Sequence, residues 1–381
     1  MLNYTTRKRP KARRGDVLYY VVDDASHMKR ALRLAARGIG KTSPNPTVGA
    51  VLVRSGRVIA EDYHRKAGTP HAEALVLAEA GDKARGATLY VTLEPCCHTS
   101  KRTPPCSKAI IAAGVARVVI AMKDPNPKVS GRGIAELEAA GIKTTCCVLE
   151  DKARLLNEAY VKHITTGIPF VTLKAGMTLD GKIATPEGQS KWITSEPARK
   201  IVHRLRASVD AVITGIGTVA ADDPELTARL RGARQPMRVV IDPSLRISDS
   251  ARVLRTPPDT LIVTKESGGA LARGLEARGV RVLGYKGALD LRWLLRELGS
   301  MGMTSVLIEA GSTLNGHALM EGIVDRVMIF VAPKIIGGAK SFPVVGGDAF
   351  RSLDAALKVG DMKVRRVGPD LLIEGRIGKP R

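Results

Sequence analysis

His71-Ala72-Glu73, followed by Pro95-Cys96 and then by Pro104-Pro105-Cys106, decides how the first half of this 381-residue chain is read. One imidazole and two thiolates supply three of the four ligands of a tetrahedral zinc, leaving a position for water, as catalytic rather than structural sites do. Glu73 is not needed as a ligand, so its carboxylate can take a proton from an activated water and pass it to a leaving group. Local signals put these groups at element ends. Thr69-Pro70 reads as an N-cap with proline at the first helical position, placing His71 and Glu73 in the first turn of a helix running to about Ala80. Residues two apart do not share a helix face, so both reach one small site only where the helix opens. Pro104-Pro105 precedes a predicted helix from Cys106 to about Ala113, ended by Gly114. The helix dipole favours a thiolate at Cys106.

This order, H-x-E followed by P-C and a further Cys, is that of zinc-dependent deaminases. Outward from it, periodicity lays out an α/β domain. A helix is predicted from Asp23 to about Arg37, then a loop over Thr42 to Thr47, then a hairpin of strands Val48 to Val53 and Arg57 to Glu61 about Ser55-Gly56. Thr88 to Leu93 reads as a buried strand delivering Glu94-Pro95-Cys96 at its carboxyl end. Strand Arg117 to Ala121, a helix over about Gly133 to Ala140 and strand Lys143 to Leu149 complete three layers, with Cys146-Cys147 in the last strand read as structural. A helical stretch, Asp151 to Lys162, precedes a break at Thr165-Thr166-Gly167-Ile168-Pro169. The expected division is a basic tail over 1–22, a first domain over 23–166 and a second over 167–381.

Beyond the break, strands are predicted at Val171 to Ala175, Asp210 to Thr214, Met237 to Ile241, Thr260 to Thr264, Arg281 to Leu283, Ser305 to Glu309 and Arg326 to Val331. Helices intervene over about Glu196 to Ala207, Ala288 to Gly299 and Ser312 to Glu321. Two strands run into glycine-bearing turns, Ile213-Thr214-Gly215-Ile216-Gly217-Thr218 and Ile308-Glu309-Ala310-Gly311-Ser312-Thr313-Leu314. Bare backbone at a sheet's carboxyl edge, with Ser312 able to cap the next helix, suits a pyrophosphate. Neither turn is G-x-G-x-x-G at the start of a unit, so a Rossmann dinucleotide fold is not indicated.

The length suits two domains of ordinary size, and an apolar content of 44% suits a core in each. No apolar run is long enough for a membrane span and no apolar leader opens the chain, so a cytoplasmic protein is expected. Five cysteines, three of them grouped with a histidine in the motifs, fit metal ligation in a reducing compartment better than disulfides. The net charge of +23 attracts polyanions or phosphorylated small molecules. Arg7, Lys8, Arg9, Lys11, Arg13 and Arg14 form a basic tail, read as a solvated extension, with organelle targeting or RNA adhesion as the alternatives. An aromatic content of 3% argues against base-stacking platforms.

Longer motifs carry a resemblance. His71 to Glu73, Thr92-Leu93-Glu94-Pro95-Cys96 and Thr103-Pro104-Pro105-Cys106, with Ser43-Pro44-Asn45-Pro46 and Asp124-Pro125-Asn126-Pro127, closely resemble the riboflavin-biosynthesis deaminase family. Leu173-Lys174-Ala175-Gly176-Met177-Thr178-Leu179-Asp180-Gly181, Trp192-Ile193-Thr194-Ser195, Ala221-Asp222-Asp223-Pro224 and Glu309-Ala310-Gly311 resemble the fused reductase of the same pathway. The resemblance runs from about Asp23 to the C-terminus. It implies a bifunctional α/β enzyme, a three-layer cytidine-deaminase-like domain followed by a dihydrofolate-reductase-like α/β domain, with Zn2+ and NADPH as cofactors. The implied reactions are zinc-assisted hydrolysis of the exocyclic amine of a phosphoribosylaminopyrimidine, then reduction of its ribosyl group to ribityl. The alternative is a base deaminase acting on RNA, with a non-catalytic reductase-like domain; a complete reductase half argues against it. A phosphorylated aminopyrimidine is therefore the expected partner, nucleic acid and membrane are not, and a homo-oligomer is expected.

By match to the family's motifs, His71, Cys96 and Cys106 are zinc ligands and Glu73 is the proton shuttle. Asn45 helps to hold the pyrimidine, and Lys101 or Arg102 meets its phosphate. The resemblance puts nucleotide contacts at Gly176, Trp192, Thr218, Asp222 and the turn formed by Gly311, Ser312, Thr313, Leu314, Asn315, Gly316 and His317. Substrate contacts fall at Lys174, Ser190, Arg206, Leu226, Arg229 and Glu309. One departure from the pattern bears on the metal: Cys96-Cys97 stands where the family usually has Cys-Ser or Cys-Asn, and the interval to Cys106 is one residue longer than usual. Either a residue is inserted within Thr99-Ser100-Lys101 or Cys97 takes the metal. Cys96 is favoured because it follows Pro95 directly at the strand end.

Overall fold

The first sheet grows from a hairpin. The structure, a computed structural model, describes residues 24–97, 104–255, 259–348 and 352–378, so the basic tail, Asp23, Lys101 and Arg102 lie outside it. Strands β1 (Gly49–Arg54), β2 (Arg57–Tyr63), β3 (Thr88–Val91), β4 (Arg117–Ile120) and β5 (Lys143–Thr145) form a five-stranded sheet in the order β2-β1-β3-β4-β5. The pairs on either side of β1 are antiparallel, and β3, β4 and β5 run parallel. Helices α1 (Asp24–Ala35), α2 (Ala72–Ala80), α3 (Cys106–Ala112), α4 (Arg132–Ala139), α5 (Glu150–Leu156) and α6 (Glu158–Thr166) accompany it. Helix α1 buries Met28, Ala31, Leu32 and Ala35, the spacing of one helix face, and crosses the sheet at Gly49, where a Cβ would lie 2.1 Å from the Ala31 carbonyl oxygen. One apolar cluster, drawn from Met28 to Ala153, is the core of this half.

Three local expectations change. Helix α2 starts at Ala72, and His71 is its N-cap in extended conformation (φ −72°, ψ 162°), so the imidazole precedes the first turn instead of lying in it. Strand β5 stops at Thr145; Cys147 (φ 71°) and Leu149 (φ 62°) take left-handed backbone that no strand continues, which leaves Cys146-Cys147 beyond the sheet. The stretch Asp151 to Lys162 is two helices, broken at Asn157, whose buried side chain bonds to Thr47.

In the second half, β6 (Phe170–Thr178), β7 (Lys182–Ala184), β8 (Ala211–Gly215), β9 (Met237–Ile241), β10 (Thr260–Thr264), β11 (Arg281–Gly284), β12 (Ser305–Ile308), β13 (Arg326–Ala332), β14 (Phe342–Pro343), β15 (Val359–Val367) and β16 (Asp370–Ile377) appear with helices α7 (Glu196–Ser208), α8 (Ile216–Asp222), α9 (Arg252–Arg255), α10 (Ala270–Ala277), α11 (Leu291–Ser300) and α12 (Ser312–Met320). Nine of the strands form one sheet, ordered β11-β10-β9-β8-β12-β6-β13-β16-β15, while β7 and β14 make a separate ribbon. The sheet is parallel from β11 to β13 and closes with an antiparallel hairpin, β16 and β15. Strand alternation divides the core. Ala211, Ile213, Val239, Ile241, Leu261 and Val263 pack with Leu291, Leu294 and Leu298 of α11, whereas Val212, Val240 and Ile262 pack with Ala272 and Leu275 of α10. Both faces are covered, as a parallel sheet requires.

The chain moves from β6 out to β11 and then returns to insert β12 between β8 and β6. Such a reversal opens a crevice at the carboxyl ends of the strands. Strands β15 and β16 were not legible in the sequence, because β15 is exposed at eight of its nine positions and carries no apolar alternation. The two halves meet along α6: Lys162 pairs with Asp325 at 2.6 Å, Glu158 pairs with Arg326 at 2.9 Å and also with Arg376, and a Cβ at Gly299 would lie 2.0 Å from the Gly167 carbonyl oxygen.

Candidate active sites

Three element ends converge on the first site. His71 caps α2, Cys96 follows β3 and Cys106 opens α3; their ligand atoms all lie within 4.8 Å of one another. His71 Nδ1 is 3.3 Å from Cys106 Sγ and 3.7 Å from Cys96 Sγ. Ligand bonds to tetrahedral zinc of about 2.0 and 2.3 Å imply a nitrogen-to-sulfur separation of about 3.6 Å, so these residues fit that ion. Among the described residues Cys97 is not part of the cluster, and burial pushes its thiol up. The Cys106 backbone N–H points at Cys96 Sγ over 3.4 Å, and Ser107 N–H donates to the Cys96 carbonyl while its hydroxyl donates to Glu136, locking strand end to helix start.

Glu73 lies in the first turn of α2, is 3% exposed, and its Oε2 has no hydrogen-bond partner among the described residues. Burial pushes its carboxyl up, the Cys96 sulfur adds to this, and His71 opposes it. A buried acceptor kept free beside a ligand cluster suits a transferable proton.

Asn45 reaches the site through a residue with no spacing signal in the sequence, His64. His64 Nδ1 is 3.2 Å from the Pro70 carbonyl, which only a ring N–H can satisfy, so Nε2 accepts from Asn45 Nδ2 at 3.3 Å. The Asn45 carbonyl oxygen takes no part in this bond. Burial holds His64 below its ordinary value, and its ring meets that of His71 edge-on, with centroids 5.2 Å apart. Sequence reasoning also missed Glu94, whose buried carboxylate accepts backbone N–H groups of Asp124, Gly131, Gly133 and Ile134. It ties the Pro95-Cys96 loop to the start of α4, where a Cβ at Gly133 would lie 2.1 Å from the Pro95 carbonyl oxygen.

The second site is a cleft of about 1320 Å³ at the carboxyl ends of β6, β8, β9 and β12. Lys174, Gly176, Ser190, Trp192, Arg206, Thr218, Asp222, Leu226, Arg229, Glu309, Gly311, Ser312, Thr313, Leu314 and His317 all line it. Asn315 and Gly316 do not: Asn315 Nδ2 donates to the Val344 carbonyl, and a Cβ at Gly316 would lie 1.7 Å from the Gly346 carbonyl oxygen. They face the β14 segment because they fall on the far side of α12. The N-cap of that helix is Gly311; Ser312 makes no capping bond.

The floor of the cleft is charged. Glu309 accepts from Lys174 Nζ at 2.9 Å and from Arg206 Nε and Nη2 at 2.9 and 2.8 Å. Burial works to raise the Glu309 carboxyl, yet the two cations bring it well below the usual range and keep it ionised. Ser190 Oγ donates to Asp222 at 2.6 Å, and the Trp192 ring, 61% exposed, lies 4.4 Å from the Arg199 guanidinium. Asp223, Leu226 and Arg229 take left-handed backbone, a local strain of about 1–3 kcal/mol each that turns this segment into the cleft. Arg246, Arg252 and Lys265 also line it; the sequence shows them only as members of a general basic surplus.

A His/Cys/Cys cluster spaced for zinc beside a buried carboxylate, and a large cationic cleft at a sheet's carboxyl edge, put two separate enzyme-like sites on one chain. A family model for the cytidine and deoxycytidylate deaminase zinc-binding region matches residues 21–122, and one for the RibD C-terminal domain matches residues 169–373. The riboflavin biosynthesis protein RibD of Aquifex aeolicus is 46% identical over 92% of this chain and 97% of its own. Among solved structures, Acinetobacter baumannii RibD is 39% identical with a TM-score of 0.86, over 93% of this chain and 99% of that one. The Thermotoga maritima diaminohydroxyphosphoribosylaminopyrimidine deaminase/5-amino-6-(5-phosphoribosylamino)uracil reductase gives 38%, 0.84 and the same coverage. The chain belongs to the bifunctional RibD family, the deaminase and reductase of riboflavin biosynthesis. It is a zinc-dependent deaminase and an NADPH-dependent reductase, and the comparisons support this over the RNA-deaminase alternative. Among the described residues no helix is long and apolar enough to cross a membrane.

Proposed function

We propose that the first half hydrolyses the exocyclic amine of a diaminohydroxyphosphoribosylaminopyrimidine and the second reduces the ribosyl group of the product to ribityl, the pair of activities for which the Thermotoga relative is named. The observation that carries the reading is the buried Oε2 of Glu73, without a hydrogen bond among the described residues, beside a His/Cys/Cys cluster spaced for zinc. Bound zinc supplies the Lewis acidity that makes water nucleophilic, and NADPH supplies hydride. His71, Cys96 and Cys106 hold the metal. Glu73 takes the proton of the attacking water and delivers it to the leaving amine. Asn45 orients the pyrimidine through its carbonyl oxygen, and Lys101 or Arg102, outside the described residues, meets the phosphate.

In the cleft, Lys174, Ser190, Arg206, Leu226, Arg229 and Glu309 hold the substrate. Gly176, Trp192, Thr218, Asp222, the turn Gly311 to Leu314 and His317 hold the nucleotide, while Asn315 and Gly316 seat that turn from behind. Arg246, Arg252 and Lys265 add positive charge along the cleft, which supports two phosphorylated ligands over a nucleic acid. No dedicated proton donor is needed at the carbon that receives hydride; alignment in the cleft provides most of the effect.

The same reading divides the chain into 1–22, 23–166 and 167–381, supported by separate apolar clusters on either side of Gly167. Thiolate ligation supports a reducing, cytoplasmic setting. Exposed Val359, Met362 and Val364 on β15, with Leu371 on β16, support a homo-oligomer that covers this hairpin. The test is one assay on the aminopyrimidine phosphate, with and without NADPH, following ammonia and NADPH separately. Ammonia release without NADPH, and NADPH oxidation only after it, is expected; NADPH oxidation that precedes ammonia release would overturn the order.

A further inference from the structure

We propose that the reductase half completes the deaminase site: Thr304 and Asp210, at the amino-terminal edge of the nine-stranded sheet, are positioning residues for the loop that carries Asn45. The inference rests on the reading that Asn45 holds the pyrimidine. The loop from Thr42 to Thr47 contains neither helix nor strand, so its shape depends on what grips it. It is gripped at both ends. Downstream, Asn157 Oδ1 accepts Thr47 N–H at 2.8 Å and Thr47 Oγ–H at 3.1 Å, while Asn157 Nδ2 donates to the Thr47 carbonyl at 3.0 Å.

Upstream, the grip comes from the other half of the molecule. Ser43 Oγ lies 3.2 Å from Thr304 Oγ1, which lies 2.9 Å from Asp210 Oδ2. A carboxylate can only accept, so Thr304 donates to Asp210, and the Ser43 hydroxyl, beside Thr304 Oγ1, is directed at the same carboxylate, whose charge it helps to hold. Asp210 is itself fixed. It accepts Thr304 N–H at 2.8 Å, Ser305 N–H and Oγ–H at 3.0 Å each, and Arg234 at 2.7 Å. Burial would raise its carboxyl, but Ser43, Arg234 and Thr304 together hold it below the ordinary value, so the chain of bonds ends on a full charge. Next to this chain Gly40 (φ 77°) seats the loop on the end of α7, where a Cβ would lie 2.2 Å from the Ala207 carbonyl oxygen.

Ser43 stands two residues before Asn45, and neither Thr304 nor Asp210 belongs to the metal cluster or lines the reductase cleft. Their effect on deamination is therefore conformational. A loop held in its binding shape before substrate arrives pays no ordering cost on binding; a released loop binds only in the fraction of time it is correctly placed.

The test uses the full-length, zinc-loaded chain and its variants Ser43→Ala, Thr304→Val, Thr304→Ser, the double variant Ser43→Ala/Thr304→Val, and Asn45→Ala. Zinc content, deaminase kcat and KM, and NADPH-dependent reduction of the deaminated intermediate are measured for each. Ser43→Ala and Thr304→Val each raise the deaminase KM on the order of two- to tenfold, the worth of one hydrogen bond, with zinc, kcat and reduction unchanged. Thr304→Ser keeps KM at the parent value, and the double variant is no worse than Ser43→Ala alone, because Ser43→Ala already removes the loop's hold on both Thr304 and Asp210. An unchanged KM in folded Thr304→Val, a parallel loss of both activities, or additive effects in the double variant would overturn the proposal. Should Thr304→Val fail to fold, Ser43→Ala decides alone, since it leaves the other bonds of Asp210 intact. An unchanged KM in Asn45→Ala overturns the pyrimidine reading and this inference with it; a raised KM there beside an unchanged one in Ser43→Ala overturns the anchoring alone.

Discussion

The two sites of this chain are built by opposite means. The deaminase centre gathers three ligand atoms within 4.8 Å from three element ends, whereas the reductase cleft spreads over about 1320 Å³ and draws on four strand ends and the loops beyond them. A metal centre concentrates its chemistry in a few atoms at fixed distances, so it tolerates no exchange of partners. Hydride transfer between two large phosphorylated molecules is chiefly a matter of alignment, so its contacts are many and each is worth less. The difference predicts all-or-none losses at the first site and graded ones at the second.

Exchanging the cysteines tests the sharper side first. Cys96→Ser or Cys106→Ser is expected to strip bound zinc and abolish ammonia release while NADPH-dependent reduction survives; Cys97→Ser should retain zinc. Metal analysis of the purified variants reads this directly, and zinc retained in Cys96→Ser but lost in Cys97→Ser would reassign the ligand. Next in size, Glu73→Gln keeps the metal but lowers deamination by about 10²–10⁴-fold, the usual worth of a positioned general base. Reduction of the deaminated intermediate should be untouched, and loss of both activities in a folded variant would mean that the sites are not independent.

In the cleft the largest single effect belongs to its charged floor. Glu309→Gln leaves Lys174 and Arg206 buried without their carboxylate, at a cost of about 3 kcal/mol by denaturant unfolding, and lowers reduction further than any other single exchange in the cleft without abolishing it. A pH titration of stability sharpens the same point. Glu309 is held below its ordinary value of 4.5, so the stability it contributes is present above that pH and is lost as the pH falls beneath it. The acid limb of the curve should therefore flatten in Glu309→Gln, and an unchanged limb would show that the carboxylate adds nothing there. The smallest effect is expected from Trp192→Ala, whose ring is mostly in solvent and whose partner is the Arg199 cation: about a two- to fivefold rise in KM for NADPH.

Legibility followed the same contrast. The ligand motif could be read because His71, Cys96 and Cys106 sit at breaks in periodicity that proline and strand ends announce. The exact helix start could not, since His71 itself takes the cap position that Thr69-Pro70 suggested for Thr69. His64 was invisible because a single histidine at the end of β2 has no partner at a diagnostic spacing; only the Pro70 carbonyl and Asn45 give it a role. In the second half the motifs place their residues near strand ends but not on a given side of α12, which is why Asn315 and Gly316 fall behind the cleft.

What the sequence determined by itself is the chemistry on offer: donor atoms of the types that zinc takes, a carboxylate two residues from the histidine, glycine-bearing turns at strand ends and a surplus of positive charge. These are properties of residue type and short spacing, which local backbone geometry fixes. Tertiary structure decided which atoms meet across long separations. It placed Cys96 and not Cys97 in the cluster, paired Glu309 with Arg206 across 103 residues, and hung the Asn45 loop from Thr304 across 261 residues from Ser43. Such contacts leave no periodic trace, because they are set by the packing of two sheets and the helix between them.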